Sequence, residues 1–164
     1  MKNTIQIFGL PRSGTNFLEW SIIEYFDNIK YENKYKICDV EGLNRYNHII
    51  ALKHSFPTLD HSDYIIVIYK DFEKWSKSYK KWSKQEPKKE IWENYLNTAN
   101  KIDNKRCLII SHEELVYNYE EIIKKISKKF NLSLKDKLII KPDGYFNRGG
   151  SESKPDKNKK YKHE

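Results

Sequence analysis

The sequence contains few of the residues that build disulfide-rich, fibrous or membrane-spanning proteins. Its 164 residues include only two cysteines, five prolines and six glycines. Cys38 and Cys107 each stand alone inside an apolar run, so neither a disulfide framework nor a CxxC metal or redox motif is expected. No apolar run approaches the roughly 20 residues of a membrane span, and the N-terminus lacks the long apolar region of a signal peptide. These features predict a soluble, cytoplasmic protein.

Charge is abundant, and it is unevenly distributed along the chain. Charged residues make up 33% of the sequence and apolar residues 38%, which is typical of a globular protein of about one domain. The 31 basic residues outnumber the 23 acidic ones, and the whole excess lies beyond residue 70. A basic half favours a phosphorylated or polyanionic partner, although a lysine-rich solvated helix face and tail would give the same count.

Short β-branched runs alternate with amphipathic segments along most of the chain. The predicted strands cover residues 4–9, 35–40, 48–53, 64–69 and 106–111. The predicted helices cover residues 16–28, 71–84, a segment after Pro87, and 117–130, with Trp75, Tyr79 and Trp82 facing the core. Near-continuous apolar strands suit a parallel sheet that is buried on both faces. We therefore predict an α/β fold: a single three-layer domain over residues 1–150, with a mainly parallel sheet flanked by helices, and a basic, flexible tail over residues 151–164.

A glycine-containing loop joins the first predicted strand to the first predicted helix. Backbone N–H groups and the positive end of the helix dipole meet at this point, which predicts a site for a phosphate-like anion. Gly9 and Gly14 have the spacing of the phosphate loop GxxxxGK[ST], so the fold is expected to be P-loop-like. Thr15 stands where that motif has lysine, and the cation is instead Arg12. The loop is therefore poorly suited to an ordinary magnesium-dependent triphosphate hydrolase.

Seven consecutive residues resemble the 5′-phosphosulfate loop of sulfotransferases that use 3′-phosphoadenosine 5′-phosphosulfate (PAPS): Pro11, Arg12, Ser13, Gly14, Thr15, Asn16 and Phe17. A second segment is similar to the 3′-phosphate element of the same family, because strand 64–69 ends at Lys70 and Ser78 follows eight residues later. Lys70 stands where the family usually has arginine, so the charge is kept while the bidentate geometry is lost. Phe72 stands where the family commonly has proline.

Two further segments extend the resemblance to about Gly150. Residues 106–115 are similar to a strand and turn of the family, and His112 falls where a tyrosine often lies near the adenine. Arg148 and Gly149 belong to a run that weakly resembles a C-terminal element contacting the 3′-phosphate. The resemblance implies PAPS as the donor. It leaves open whether Phe17 stacks near the adenine or packs in the core.

The resemblance also implies catalytic residues. Arg12 is the candidate for stabilising charge on the leaving oxygen, without a metal. Residues 52–57 resemble a family run in which lysine and histidine both serve the reaction, which points to Lys53 at the leaving oxygen and His54 as the general base. His54 stands one residue before the family's histidine, and such a shift turns a strand side chain to the other face unless a bulge restores it. Glu41 is the second candidate for the base.

The predicted function is transfer of a sulfuryl group from PAPS to a hydroxyl, or less favourably an amine, with release of adenosine 3′,5′-bisphosphate (PAP). The acceptor is expected to be a small molecule or a carbohydrate, and a partner subunit in a homo-oligomer is one way to complete its site. No metal is expected, because His48, His61 and His163 lack partners at ligand spacing.

Other functions stay open at this point. One is a P-loop nucleotide kinase or hydrolase with a variant loop, which would bind ATP with Mg²⁺. Another is a catalytically degenerate protein that binds the nucleotide without transferring the sulfuryl group. The basic half would also suit a nucleic-acid-binding module, but no recognised motif supports that reading, and a nucleic-acid partner is not expected.

Overall fold

Five parallel strands form the central sheet of the computed structural model, which describes residues 4–27, 29–34, 48–52, 56–142, 145–146 and 155–156. The strands are β1 (Thr4–Phe8), β2 (Lys30–Lys34), β3 (His48–Leu52), β4 (Tyr64–Tyr69) and β5 (Cys107–Ser111), in the spatial order β2-β3-β1-β4-β5. The helices are α1 (Thr15–Tyr25), α2 (Phe72–Ser83), α3 (Lys89–Asn100), α4 (His112–Tyr117) and α5 (Tyr119–Phe130). A separate two-stranded antiparallel pair joins β6 (Tyr145–Phe146) to β7 (Pro155–Asp156).

The strand register brings three chain segments to one edge of the sheet. β1 lies between β3 and β4, and β4 pairs with β5, with all of these pairings parallel. Parallel strands present their carboxyl ends at a common edge. The loop after β1, Lys70 after β4 and His112 after β5 therefore lie along the same edge.

Two hydrophobic clusters, one on each face of the sheet, give the domain its three layers. Along β4, Ile66 and Ile68 belong to the cluster that α1 and α5 cover, while Ile65 and Val67 belong to the cluster that α3 covers. This alternation is the period of two expected for a strand buried on both faces. The predicted α/β fold with a parallel sheet between helices is confirmed.

One predicted helix starts later than expected, and two elements were not predicted. The helix predicted over residues 117–130 corresponds to α5, which begins at Tyr119, and the short helix α4 precedes it. Helix α4 begins at His112 because Ser111 caps it: the Ser111 hydroxyl accepts from the Glu114 amide, and the Glu114 carboxylate accepts from the Ser111 amide. The polar edge strand β2 was not predicted, because an edge strand needs no continuous apolar run. The strand predicted over residues 35–40 lies outside the described residues.

The aromatic stripe of α2 is only partly directed into the core. Trp75 is buried, as predicted, but the prediction for Trp82 is wrong, because its side chain is 53% exposed. Trp82 lies in the last turn of α2, where its ring packs against Tyr79 with the ring centroids 6.0 Å apart.

None of the helices within the described residues has the length and apolar character of a membrane-spanning helix.

The C-terminal end of α1 is fastened by the segment that follows α5. The Tyr25 hydroxyl donates to the Ile140 carbonyl at 2.6 Å and accepts from the Ile140 amide at 3.0 Å. The Lys135 amide also donates to the Tyr25 carbonyl at 2.8 Å. These bonds hold the far end of the helix whose first residues form part of the candidate site.

Truncation of Ile123 tests the core beneath α5. Its side chain is completely buried, so Ile123→Ala should lower the free energy of unfolding by about 2–5 kcal/mol through lost burial and a residual cavity. Lys125→Ala, at an exposed position of the same helix, should change that free energy by no more than about 0.5 kcal/mol. Urea titration followed by circular dichroism measures both, and equal effects would contradict the packing described.

Burial of Cys107 predicts an unreactive thiol. Burial raises the pKa of Cys107 from its ordinary value near 9 to about 11, and the nearby Lys129 only partly offsets this rise. Since the thiolate is the nucleophile, Cys107 in a Cys38→Ser background should react slowly with a disulfide reagent at pH 8 and rapidly in urea. The same shift makes folding less favourable as the pH rises from about 9 through 11. Rapid labelling of the native protein would contradict the burial.

Candidate active site

The loop after β1 is tightly folded against its neighbours. The Ser13 amide donates to the Leu10 carbonyl at 3.1 Å and closes a turn. A Cβ atom on Gly9 would lie 2.7 Å from the Thr15 methyl group and 3.2 Å from the Ile68 carbonyl oxygen. A side chain at position 9 would therefore force the Thr15 side chain or the loop to shift.

Two residues of the loop adopt left-handed backbone conformations. Arg12 has φ 72° and Gly14 has φ 93°, while Ser13 between them does not have a positive φ. Alternating backbone handedness of this kind turns successive N–H groups towards one point and makes an anion-binding concavity. Gly14 also precedes the first residue of α1 and has no side chain with which to cap it. The concavity and the positive end of the helix dipole thus coincide.

Helix α2 is attached to this loop by two hydrogen bonds. The Arg12 Nε donates to the Ser78 hydroxyl at 3.3 Å, although the two residues are 66 positions apart. One turn earlier, the Trp75 indole N–H donates to the Pro11 carbonyl at 2.9 Å. The loop and the segment from Lys70 to Ser78 were identified separately in the sequence, and these bonds bring them into contact.

Lys70 occupies the junction between β4 and α2. Its carbonyl accepts a hydrogen bond from the Trp92 indole N–H at 2.9 Å, which holds the junction against α3. Asp71 caps α2, because its Oδ1 accepts from the Lys74 amide at 3.0 Å. Burial raises the pKa of Asp71, but the Lys74 amide and the neighbouring Glu113 and Lys74 side chains outweigh it, so the pKa is lowered. A charged cap and an adjacent lysine therefore define the start of α2.

His112 covers the loop from the side of β5. Its side chain is buried, and a Cβ atom on Gly14 would lie 2.5 Å from the His112 Cδ2. Its ring meets Phe17 edge-on, with the centroids 6.4 Å apart. The ring of Phe17 is itself stacked on Tyr119 at 5.4 Å and is 3% exposed. Phe17 is thus packed in the core, with the rings of Tyr119 and His112 as neighbours.

A solved structure shares this architecture. The crystal structure of mouse sulfotransferase SULT7A1 complexed with PAP matches the chain with a TM-score of 0.59 and 19% sequence identity. The chain has a sulfotransferase-like fold. The match covers 83% of this chain and 60% of the mouse protein, so the chain spans about three-fifths of that protein's length. No protein-family model and no curated protein matches the sequence.

Ten of the predicted site residues lie at the carboxyl edge of the sheet in this sulfotransferase-like fold. They are Pro11, Arg12, Ser13, Gly14, Thr15, Asn16, Phe17, Lys70, Ser78 and His112. Lys53, His54, Arg148 and Gly149 lie outside the described residues, so their placement stays a prediction. Within the described ranges, no three His, Cys, Asp or Glu side chains are grouped to hold a metal ion.

Two residues that border the site were not predicted from the sequence. Lys74 of α2 and Glu113 of α4 form an ion pair at 2.8 Å, beside Lys70 and His112 respectively. One signal was present, because Lys74 and Ser78 are four residues apart and so lie on one side of a helix, whose capping residue directly follows Lys70. Nothing in the sequence around Glu113 indicated that it pairs with Lys74.

Gly14→Ala tests the close approach between the loop and α4. The new methyl group would meet His112 on a backbone with φ 93°, so the free energy of unfolding should fall by about 1–3 kcal/mol. Removing the opposing ring with His112→Ala should make the same glycine substitution less costly, since only the backbone strain then remains. Urea unfolding of the four proteins of this double-mutant cycle measures the difference. Additive effects would show that the two residues are not in contact.

Proposed function

We propose that the protein is a PAPS-dependent sulfotransferase. The observation that carries the proposal is the convergence of three separately identified segments on one loop: Arg12 contacts Ser78, and Gly14 lies against His112. The sulfotransferase-like fold supports the same reading, because the matching mouse sulfotransferase is complexed with PAP. The loop has Thr15 where the phosphate-loop motif has lysine and carries its cation at Arg12, which also favours a sulfuryl donor over a magnesium-bound triphosphate.

The loop fits the 5′-phosphosulfate end of the donor. Its left-handed residues, Arg12 and Gly14, shape a concavity of N–H groups at the positive end of α1. Ser13 and Thr15 are buried, and the Thr15 methyl group lies beside Gly9, so the loop is packed against its neighbours. Such a rigid cradle binds a tetrahedral anion without reorganisation of the backbone.

Lys70 and Ser78 form the proposed 3′-phosphate site. The first precedes the positive end of α2 and the second lies two turns along it, so a phosphate would lie along the side of the helix. Lysine acts here as a point charge and not as a bidentate clamp. Arg148 and Gly149 are proposed to complete this site. His112, close above the loop, is proposed to contact the adenine.

The proposed transfer depends on a cation at the loop and on a general base. PAPS, when bound, supplies the sulfuryl group that passes to an acceptor hydroxyl with release of PAP. Arg12 and Lys53 would stabilise the charge that develops on the leaving phosphate oxygen as its bond to sulfur breaks. His54 would accept the proton of the acceptor hydroxyl as the new oxygen–sulfur bond forms. A small molecule or a carbohydrate is the proposed acceptor.

Calorimetric titration with PAP tests the proposal. PAP should bind with and without Mg²⁺, and more tightly than AMP, because only PAP carries the 3′-phosphate. Lys70→Ala should weaken PAP binding about tenfold to a hundredfold, the range for losing a charge-assisted contact, while leaving AMP binding almost unchanged. Lys125→Ala, on the exposed side of α5, is the control and should bind PAP like the wild type.

Two results would overturn the sulfotransferase assignment. One is tighter binding of ATP with Mg²⁺ than of PAP, which would favour a kinase or hydrolase. The other is equal affinity for PAP and AMP, since it would show that no 3′-phosphate site exists.

A further inference from the structure

The start of α2 and the start of α4 are joined by one ion pair. The Lys74 Nζ donates to the Glu113 Oε1 at 2.8 Å and lies 3.8 Å from the Asp71 Oδ2. The hydrogen bond with Glu113 raises the pKa of Lys74, so the lysine is charged at neutral pH. The contact therefore spans 39 positions of sequence and links two elements that follow different strands.

Both ends of this link are held rigidly. On α2, the Lys74 amide is bound by the capping carboxylate of Asp71. On α4, Glu113 lies inside the capping box that Ser111 and Glu114 form. Because each partner sits in a capped first turn, the ion pair connects two ordered backbones and does not merely tie together two free side chains.

The link lies midway between the residues proposed to hold the nucleotide. Lys74 lies on α2 one turn before Ser78, and Lys70 directly precedes the Asp71 cap of the same helix. Glu113 directly follows His112, which covers the loop. A change in the spacing between α2 and α4 would therefore move the 3′-phosphate residues relative to the residue proposed to contact the adenine.

We propose that Lys74 and Glu113 are positioning residues that set the spacing between α2 and α4, so that Lys70, Ser78 and His112 bind the same nucleotide. This inference rests on the proposed function. The two side chains are 38% and 29% exposed, so their direct contribution to stability is small. Their effect is on binding geometry, where a small misplacement weakens every contact that depends on it.

A double-mutant cycle with charge reversal tests the inference. Lys74→Glu and Glu113→Lys should each weaken PAP binding about three- to tenfold, and the double variant with the charges exchanged should recover most of the loss. AMP binding should change little in all three, because AMP makes no use of the 3′-phosphate residues on α2. Hydrogen exchange at the amides of residues 111–114, measured without nucleotide, should be faster in the single variants and restored in the double variant.

Each other outcome contradicts the inference in a recognisable way. If the exchanged double variant binds PAP as weakly as Lys74→Glu, Lys74 contacts the nucleotide directly and does not act through Glu113. If hydrogen exchange responds but PAP affinity does not, the pair is structural only. If AMP and PAP weaken equally, the variants disturb the loop as a whole. If the wild type binds no PAP, the proposed function fails and the inference fails with it, while hydrogen exchange still reports whether the ion pair forms.

Discussion

The close approach of Gly14 to His112 is the contact on which the rest of the site depends. Without a Cβ atom at Gly14, α4 can begin directly above the loop. The next residue of α4 then pairs with Lys74 of α2, and α2 returns to the loop through Ser78 and Arg12. These three contacts join the loop, α4 and α2 in a ring. Each of the three segments therefore contacts the other two, which restricts its position more than a single contact would.

The strained backbone of Arg12 lies next to the hydrogen bonds that compensate for the strain. Arg12 holds a left-handed backbone conformation, which costs a non-glycine residue about 1 kcal/mol or more. The neighbouring Pro11 carbonyl accepts from the Trp75 indole, and the Arg12 side chain donates to Ser78. These bonds to α2 offset the cost of the conformation. They also explain why the stripe of α2 is buried at Trp75 and exposed at Trp82, since only the first part of the helix lies against the loop.

The sequence contains local signals for much of the fold and few signals for the contacts between elements. The runs at β4 and β5 are predictable because strands buried on both faces need continuous apolar residues. The loop is predictable because its glycines and its arginine are adjacent in sequence. The Lys74–Glu113 ion pair is not predictable, because residues 70–89 include eight lysines and only the folded chain determines which of them pairs with Glu113. The start of α4 was missed because a capping box within a strand-to-helix junction is as short as an ordinary turn.

Net charge is a poor guide to the site, because only the folded chain determines which lysines lie there. Much of the basic excess beyond residue 70 lies on exposed helix surfaces, where Lys80 pairs with Glu86 and Lys89 with Glu93. Lys74 lies at the site, but Glu113 and Asp71 offset its charge. Among the described residues at this edge of the sheet, Arg12 lies in the loop and Lys70 before α2, one beside each helix N-terminus. Two separate positive positions suit a ligand that carries two separate anionic groups, whereas a polyanion would be attracted to the lysines of the outer surface.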